Sequence, residues 1–298
     1  MIILFQNFND PIMGWFSGRK RKTLKPSWSY RTSGFLWRIL PSARFLAGED
    51  RDTEKKRVTF FCIDPQSGNV LWEHRMFDEQ WWIGLDSLYG ETLFFHRYAS
   101  PDMPEHQGII AADIRTGTVH WENTEMEFLL AHRDVVAVSK QGFEKRFFHL
   151  LDGTTGKVLR EIDADEVQRL RAEMGAEHVE EIGYPVPASP SVQSAIQNVL
   201  LRCGMNIQEI VNAEAHVSGE YLLSSFYEPV GTDVTSRKFR HHFVIILPES
   251  SVLLYHDILR DLSPSTAGDS FFCMGSWVYF ISEKQRLSAV NLSNIIGG

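Results

Sequence analysis

Three stretches of the chain repeat one another. They read FFCIDPQSGNVLWE (60–73), IIAADIRTGTVHWE (109–122) and FHLLDGTTGKVLRE (148–161). Each is an apolar run, then Asp-x-x-Ser/Thr-Gly, then x-Val-x-Trp/Arg-Glu. A repeat of this size cannot bury its apolar face alone, so copies must stack on copies, and the period selects the architecture. Asp64 to Asp113 spans 49 residues and Asp113 to Asp152 spans 39. Four-stranded propeller blades run about 40–50 residues. The expected fold is all-β: a single β-propeller over residues 1–298, with about five four-stranded antiparallel blades.

The motif explains its own hairpin. Asp and Ser/Thr favour the turn because their short side chains hydrogen-bond local backbone. Gly68, Gly117 and Gly156 supply a position that tolerates positive φ. Val70, Val119 and Val158 follow in register, then Trp72, Trp121 and Arg160. LPESSVLLYH (247–256) is a degenerate fourth copy and RLSAVNLSN (286–294) a truncated fifth. The fifth stops before its outer strand. Open edges invite aggregation, and rings remove them by closing. The apolar segment IILFQNF (2–8) is expected to complete that blade, making residues 1–28 an N-terminal strand and a basic connector. Residues 162–195 break the pattern. Asp163 and Glu166 have capping-box spacing and open one predicted short helix, ending near Gly175. EIGYPVPASPS (181–191) follows as a Pro-rich loop. The stretch reads as an insertion between blades three and four.

The formal net charge of −8 argues against general nucleic-acid binding. Residues 1–28 are the exception, with five basic residues against one acid. A solvated connector is the plainer reading of GRKRKTLK (18–25); contact with an anionic membrane is the other. Cys62, Cys203 and Cys273 form no CxxC pair, which predicts buried thiols in a reducing compartment. The N-terminus places apolar residues before basic ones, the reverse of a secretory signal. No apolar run approaches the roughly 18–20 residues that span a bilayer. A cytoplasmic location without a transmembrane segment is expected.

The motif Asp-x-x-Ser/Thr-Gly-x-Val-x-Trp-Glu resembles the repeat of quinoprotein-type propellers, a superfamily that also includes outer-membrane assembly lipoproteins. The resemblance covers roughly 57–161 and implies the fold rather than an activity. FLWRILP (35–41), DEQWWIG (78–84) and RYASPDMPEHQGI (97–109) are similar to a bacterial family of uncharacterised propeller proteins. That resemblance implies no catalytic residue. Quinoprotein dehydrogenases are usually exported and have more blades, so no quinone site is assigned, and no cofactor is expected.

One loop gathers chemistry. HRYASPDMPEHQG (96–108) holds His96, Arg97, Tyr98, Asp102, Glu105 and His106 in a loop with two prolines that stiffen the backbone. Its spacing matches no metal template, so no metal is assigned. The plainer reading is a stiff connection whose charges face water. Trp81 and Trp82 are read as strand residues on opposite faces, one packed between blades and the other reaching the channel or the surface. These eight residues are the candidate ligand- or partner-binding set, and none is read as catalytic. His241 and His242 read as a strand-edge pair. No GxSxG, P-loop, HExxH or CxxC signature is present. The leading expectation is a non-enzymatic scaffold for a protein partner or small-molecule ligand. The alternative is a hydrolase, lyase or ligand sensor with its site at the channel mouth.

Overall fold

The structure, a computed structural model, describes residues 24–99, 105–177, 182–231, 237–268 and 270–295. Strand β1 (Trp28–Arg31) comes first. Sheet I holds β2 (Phe35–Pro41), β3 (Leu46–Asp52), β4 (Arg57–Ile63) and β5 (Val70–Arg75). Sheet II holds β6 (Ile83–Tyr89), β7 (Thr92–Tyr98), β8 (His106–Asp113) and β9 (Val119–Asn123). Sheet III holds β10 (Glu127–His132), β11 (Val135–Gln141), β12 (Arg146–Asp152) and β13 (Val158–Ile162). Helix α1 (Ala164–Glu177), β14 (Ile182–Gly183), β15 (Val186–Pro187) and helix α2 (Pro190–Arg202) follow. Sheet IV is β15 with β16 (Val211–Ser218), β17 (Tyr221–Val230), β18 (Lys238–Leu247) and β19 (Val252–Ser263). Sheet V is β20 (Phe271–Met274), β21 (Trp277–Ser282) and β22 (Arg286–Asn291), flanked by β14 and β1. Among the described residues the protein is therefore all-β with two α-helices, in five antiparallel sheets of four or five strands.

The repeated turn does two jobs. Asp64 Oδ1 accepts from the amides of Gln66 and Ser67 and from Ser67 Oγ, at 3.0, 2.7 and 2.8 Å. Asp113 and Asp152 hold their turns in the same way. Gly68, Gly117 and Gly156 then take φ of 72°, 68° and 69°. Each of these glycines also carries a tryptophan from the preceding sheet. An added Cβ would lie 2.6 Å from Trp28 at Gly68, 3.2 Å from Trp72 at Gly117 and 2.5 Å from Trp121 at Gly156. The same indoles donate to Pro65 O, Ile114 O and Gly153 O, at 3.1, 2.7 and 2.9 Å. The motif's Trp thus docks on the next copy's turn. Arg160, in the third copy's Trp position, instead pairs with Glu166 of α1.

Packing follows period two on strands buried on both faces. Phe60 and Cys62 face Leu93, Phe95 and Ile110 of sheet II, while Phe61 and Ile63 face Phe272, Tyr279 and Leu287 of sheet V. Phe94 and Ile109 face Val136, Val138 and Leu151 of sheet III. Leu223, Phe243 and Ile245 of sheet IV face Phe271 and Phe280 of sheet V. Sheets III and IV are different. Leu130, Ala137 and Leu150 pack on Val167 of α1, and Phe226, Val244 and Ile246 pack on Ile196, Val199 and Leu200 of α2.

Three expectations are corrected. Residues 2–8 lie outside the described residues, and the edge of β22 is taken by β1, with Trp28 opposite Ala289. The strand on that edge is β1, whose Trp28 also docks on the Gly68 turn. The insertion contains two helices rather than one. The second, α2, is capped by Ser189, starts on Pro190 and buries Ile196, Val199 and Leu200 at helical spacing. His241 and His242 do not sit at a strand edge: β18 lies between β17 and β19, and both side chains are buried. Among the described residues no helix is long and apolar enough to cross a membrane.

Candidate functional site

The hairpins of sheet II bring the site together. Strands β2, β6 and β10 are the first strands of sheets I, II and III. Each carries a bulge at the same place, leaving Trp37, Asp86 and Leu129 without a partner residue across the ladder. A bulge re-aims the side chain it carries. In β6 that side chain is a carboxylate. It meets His96 from β7 and His106 from β8, whose Nδ1 atoms lie 3.7 and 3.9 Å from Asp86 Oδ2. The two imidazoles stack, with centroids 3.5 Å apart and planes 5° from parallel. Tyr98 meets both edge-on, at 5.1 and 5.4 Å. Trp82 packs on Tyr98 at 5.9 Å and accepts the Tyr98 amide at its carbonyl, 3.1 Å away.

The floor is charged. Buried Glu49 pairs with Arg51 and accepts the Leu85 amide at 3.0 Å. Arg51 also donates to the carbonyls of Trp81 and Ile83, at 2.9 and 2.6 Å, tying sheet I to the start of sheet II. Arg38 of β2 donates to Leu85 O. Gly84 leaves the space: a Cβ there would stand 3.0 Å from His96 Nε2 and 3.2 Å from Glu49 Oε2.

The polar groups of the cluster are only partly satisfied. His96 is 2% exposed, and neither ring nitrogen has a hydrogen-bond partner; Asp86 Oδ2 has none either. Burial pushes the Asp86 carboxyl up to about 6, with Glu127 adding and Arg38 opposing. Burial pulls His96 down to about 3, helped by His106, Arg38 and Arg51. Burial and Arg38 also lower His106, against Glu127. Near neutrality both imidazoles are therefore uncharged, each with a free lone pair.

His106 also borders a cleft of about 730 Å³ between sheets II and III. Glu125 pairs there with Lys140, and Glu127 with Arg146 at 3.4 Å while accepting Ser139 Oγ at 2.8 Å.

Of the expected residues, the structure gathers Trp82, His96, Tyr98 and His106. Glu105 lines the cleft, and its carbonyl accepts the Ala99 amide at 2.9 Å. Trp81 lies under the Arg51 guanidinium, 5.1 Å from ring to carbon, rather than in the cluster. Neither tryptophan is a strand residue: both precede β6, with their amides held by Glu79 Oε1 at 2.8 and 2.7 Å. Arg97 points away to Glu122, at 3.2 Å. Asp102 lies outside the described residues. Sequence reasoning missed Asp86, Arg38 and Glu127. A signal for Asp86 existed: LWR, LDS and FLL align in the three first strands, and only sheet II carries an acid at the bulge.

A second histidine group lies in sheet IV. Glu228 Oε2 lies 3.2 Å from His242 Nε2, and His242 Nδ1 lies 2.9 Å from His256 Nε2. These donors and acceptors satisfy one another in a line.

Residues 41–121 match a protein family described as Domain of unknown function (DUF4905). Comparison with curated proteins found no match. Among solved structures, the chain is similar to an acylaminoacyl peptidase of Pyrococcus horikoshii, at 9% identity and a TM-score of 0.30, over 84% of this chain and 36% of that one. It therefore spans little more than a third of that peptidase. The β-propeller domain of the Trilobed protease from Pyrococcus furiosus is similar at 10% identity and a TM-score of 0.30, over 90% and 73% of the two chains. The Dos1 propeller is similar at 8% identity and a TM-score of 0.30, over 87% and 68%. Scores this low assign no role to this chain. Its likenesses are thus to a domain family described as of unknown function, over 41–121, and to solved structures that include β-propellers.

Proposed function

We propose that the five sheets are blades of one propeller ring and that the chain is a non-enzymatic ligand-binding scaffold, with its site where blades two and three meet. The observation that carries this reading is the convergence of Asp86, His96 and His106 from three neighbouring strands at the edge of a charged cleft. Buried polar atoms are almost always paired, and exceptions call for a cause. His96 has two such atoms. A cleft with carboxylates facing Lys140 and Arg146 offers donors and acceptors together, which suits a small polar molecule. The ring itself rests on the Trp–turn docking, on the sheet-to-sheet cores and on β1 completing sheet V. A cytoplasmic setting rests on Cys62 and Cys273, buried thiols that burial pushes up to about 12.

The same groups also suit acid–base chemistry. A carboxyl poised near 6 beside a neutral imidazole is in the range for proton transfer at physiological pH. Thermal unfolding of the full chain with a panel of sugars, amino acids, dicarboxylates and sugar phosphates tests both readings. At least one class should raise Tm in the wild type but not in Arg146→Ala or Glu127→Gln, and the ligand should be recovered unchanged. Recovery of a product selects the enzyme. No shift with any class rules out the cleft.

A further inference from the structure

We propose that Asp86, His96 and His106 bind one divalent transition-metal ion of the zinc class, with the remaining coordination positions open to the cleft. The inference rests on the reading of this end of blades two and three as a ligand site, and names the ligand of its inner part. Two imidazoles and one carboxylate are the donor set of three-ligand sites that keep a position free. Each residue offers one donor atom, and the three atoms lie within 4.8 Å of one another; among the described residues no other group does so. Bonds of about 2.0–2.2 Å in tetrahedral geometry place donors about 3.3–3.5 Å apart. The separations of 3.7 and 3.9 Å to Asp86 Oδ2 stand slightly above that range, and the two imidazole donors lie within 4.8 Å of each other.

The deciding observation is His96. It is almost fully buried, aimed into the cluster, and without a partner at either nitrogen. A ligated imidazole ordinarily gives its second nitrogen to a carboxylate or carbonyl. His96 Nε2 and Glu49 Oε2 both border the space above the bare Cα of Gly84, 3.0 and 3.2 Å from where a Cβ would stand. The stack has to open on binding, because an ion lies in the plane of each ring that holds it, and the rings are parallel. His106 can make that turn: it is the first residue of β8, half-buried, and faces the cleft. His96 is held between Gly84 and Tyr98. The charge balance permits a cation. Arg51 is paired with Glu49 and Arg146 with Glu127, which leaves Asp86 facing Arg38. The Glu228–His242–His256 line lacks this capacity, since its facing atoms are bonded to one another.

The test uses the full chain after chelator treatment and dialysis. Zn²⁺ is titrated calorimetrically, and Co²⁺ is followed by its visible absorption. One equivalent should bind with a dissociation constant in the micromolar range or below. Asp86→Asn and His106→Ala should each weaken binding at least tenfold while unfolding as cooperatively as the wild type. His256→Gln should bind like the wild type. Absence of a one-to-one isotherm, unchanged affinity in both Asp86→Asn and His106→Ala, or loss of binding in His256→Gln overturns the proposal. Failure here with the polar-ligand shift intact removes the metal alone. Loss of that shift with metal binding intact removes only the cleft reading.

Discussion

Sheets II and IV both bury histidines beside a carboxylate, and they resolve the burden in opposite ways. In sheet IV, Glu228, His242 and His256 form a hydrogen-bonded line across three neighbouring strands, and Arg240 adds a contact to Glu228 at 3.5 Å. In sheet II, His96 and His106 stack on each other and leave Asp86 Oδ2 and both His96 nitrogens unpaired. The first arrangement holds strands together. The second keeps capacity for a partner. Burial and residue type are alike in these two groups, and they differ in whether their polar atoms are already paired.

The largest expected difference lies in the satisfied group. His242→Leu removes the link between Glu228 and His256 from the interior strand β18 and should lower stability by about 2–3 kcal/mol, read by denaturant unfolding. A loss under about 0.5 kcal/mol would remove the contrast with sheet II.

Next comes acid. Burial pulls His241 down to about 3 and His242 to about 4, against 6.5 for the free side chain. The folded state thus binds fewer protons than the unfolded one in that window. The stability these groups contribute is complete above about pH 6.5 and drains away as pH falls toward 3–4. Tm measured from pH 8 to pH 4 should decline below about 6.5, and His241→Phe, which keeps the ring stacked on Tyr227, should flatten the decline. An identical pH profile in the variant would show that His241 titrates normally.

His96→Leu is expected to behave unlike His242→Leu. It removes two unpaired nitrogens, so stability should hold or rise by about 1 kcal/mol. A loss above about 2 kcal/mol would mean that His96 is structural after all. The smallest effect belongs to His106→Ala. That half-buried residue should change stability by no more than about 0.5 kcal/mol, measured by denaturant titration.

The sequence showed the parts of the fold that are local. Asp64, Ser67, Gly68 and Val70 make their hairpin from neighbours a few residues away, so the turn is legible from one stretch, and its recurrence betrays the stacking. The partner of Trp72 is Gly117, and that pairing is invisible until the sheets stack. Helix α2 follows a Pro-rich loop that masked its start, although Ser189-Pro190 is a good cap and first turn. The site divides likewise. His96, Tyr98 and His106 fall in one conspicuous loop and meet as neighbours on β7 and β8. Asp86 arrives through a bulge, Arg38 from β2 and Glu127 from β10, and no spacing along the chain encodes that meeting.

The placement of β1 also sets an order of events in time. Trp28 leaves the ribosome about 261 residues ahead of its partner Ala289. At about 5–20 residues per second, the strand waits roughly 13–50 s for the pairing that fixes it. Sheets I to III contain only hairpins between successive strands, and can form while the rest is still being synthesised. Pairings between distant segments are slow because the intervening chain must first be ordered. Sheet V is therefore the last to be completed, and until β1 docks, the edge of β22 and the turn at Gly68 remain open to any passing strand. The newborn chain is most exposed to misassembly where β1 meets β22, and a chaperone that shields one segment has most to gain by holding residues 28–31.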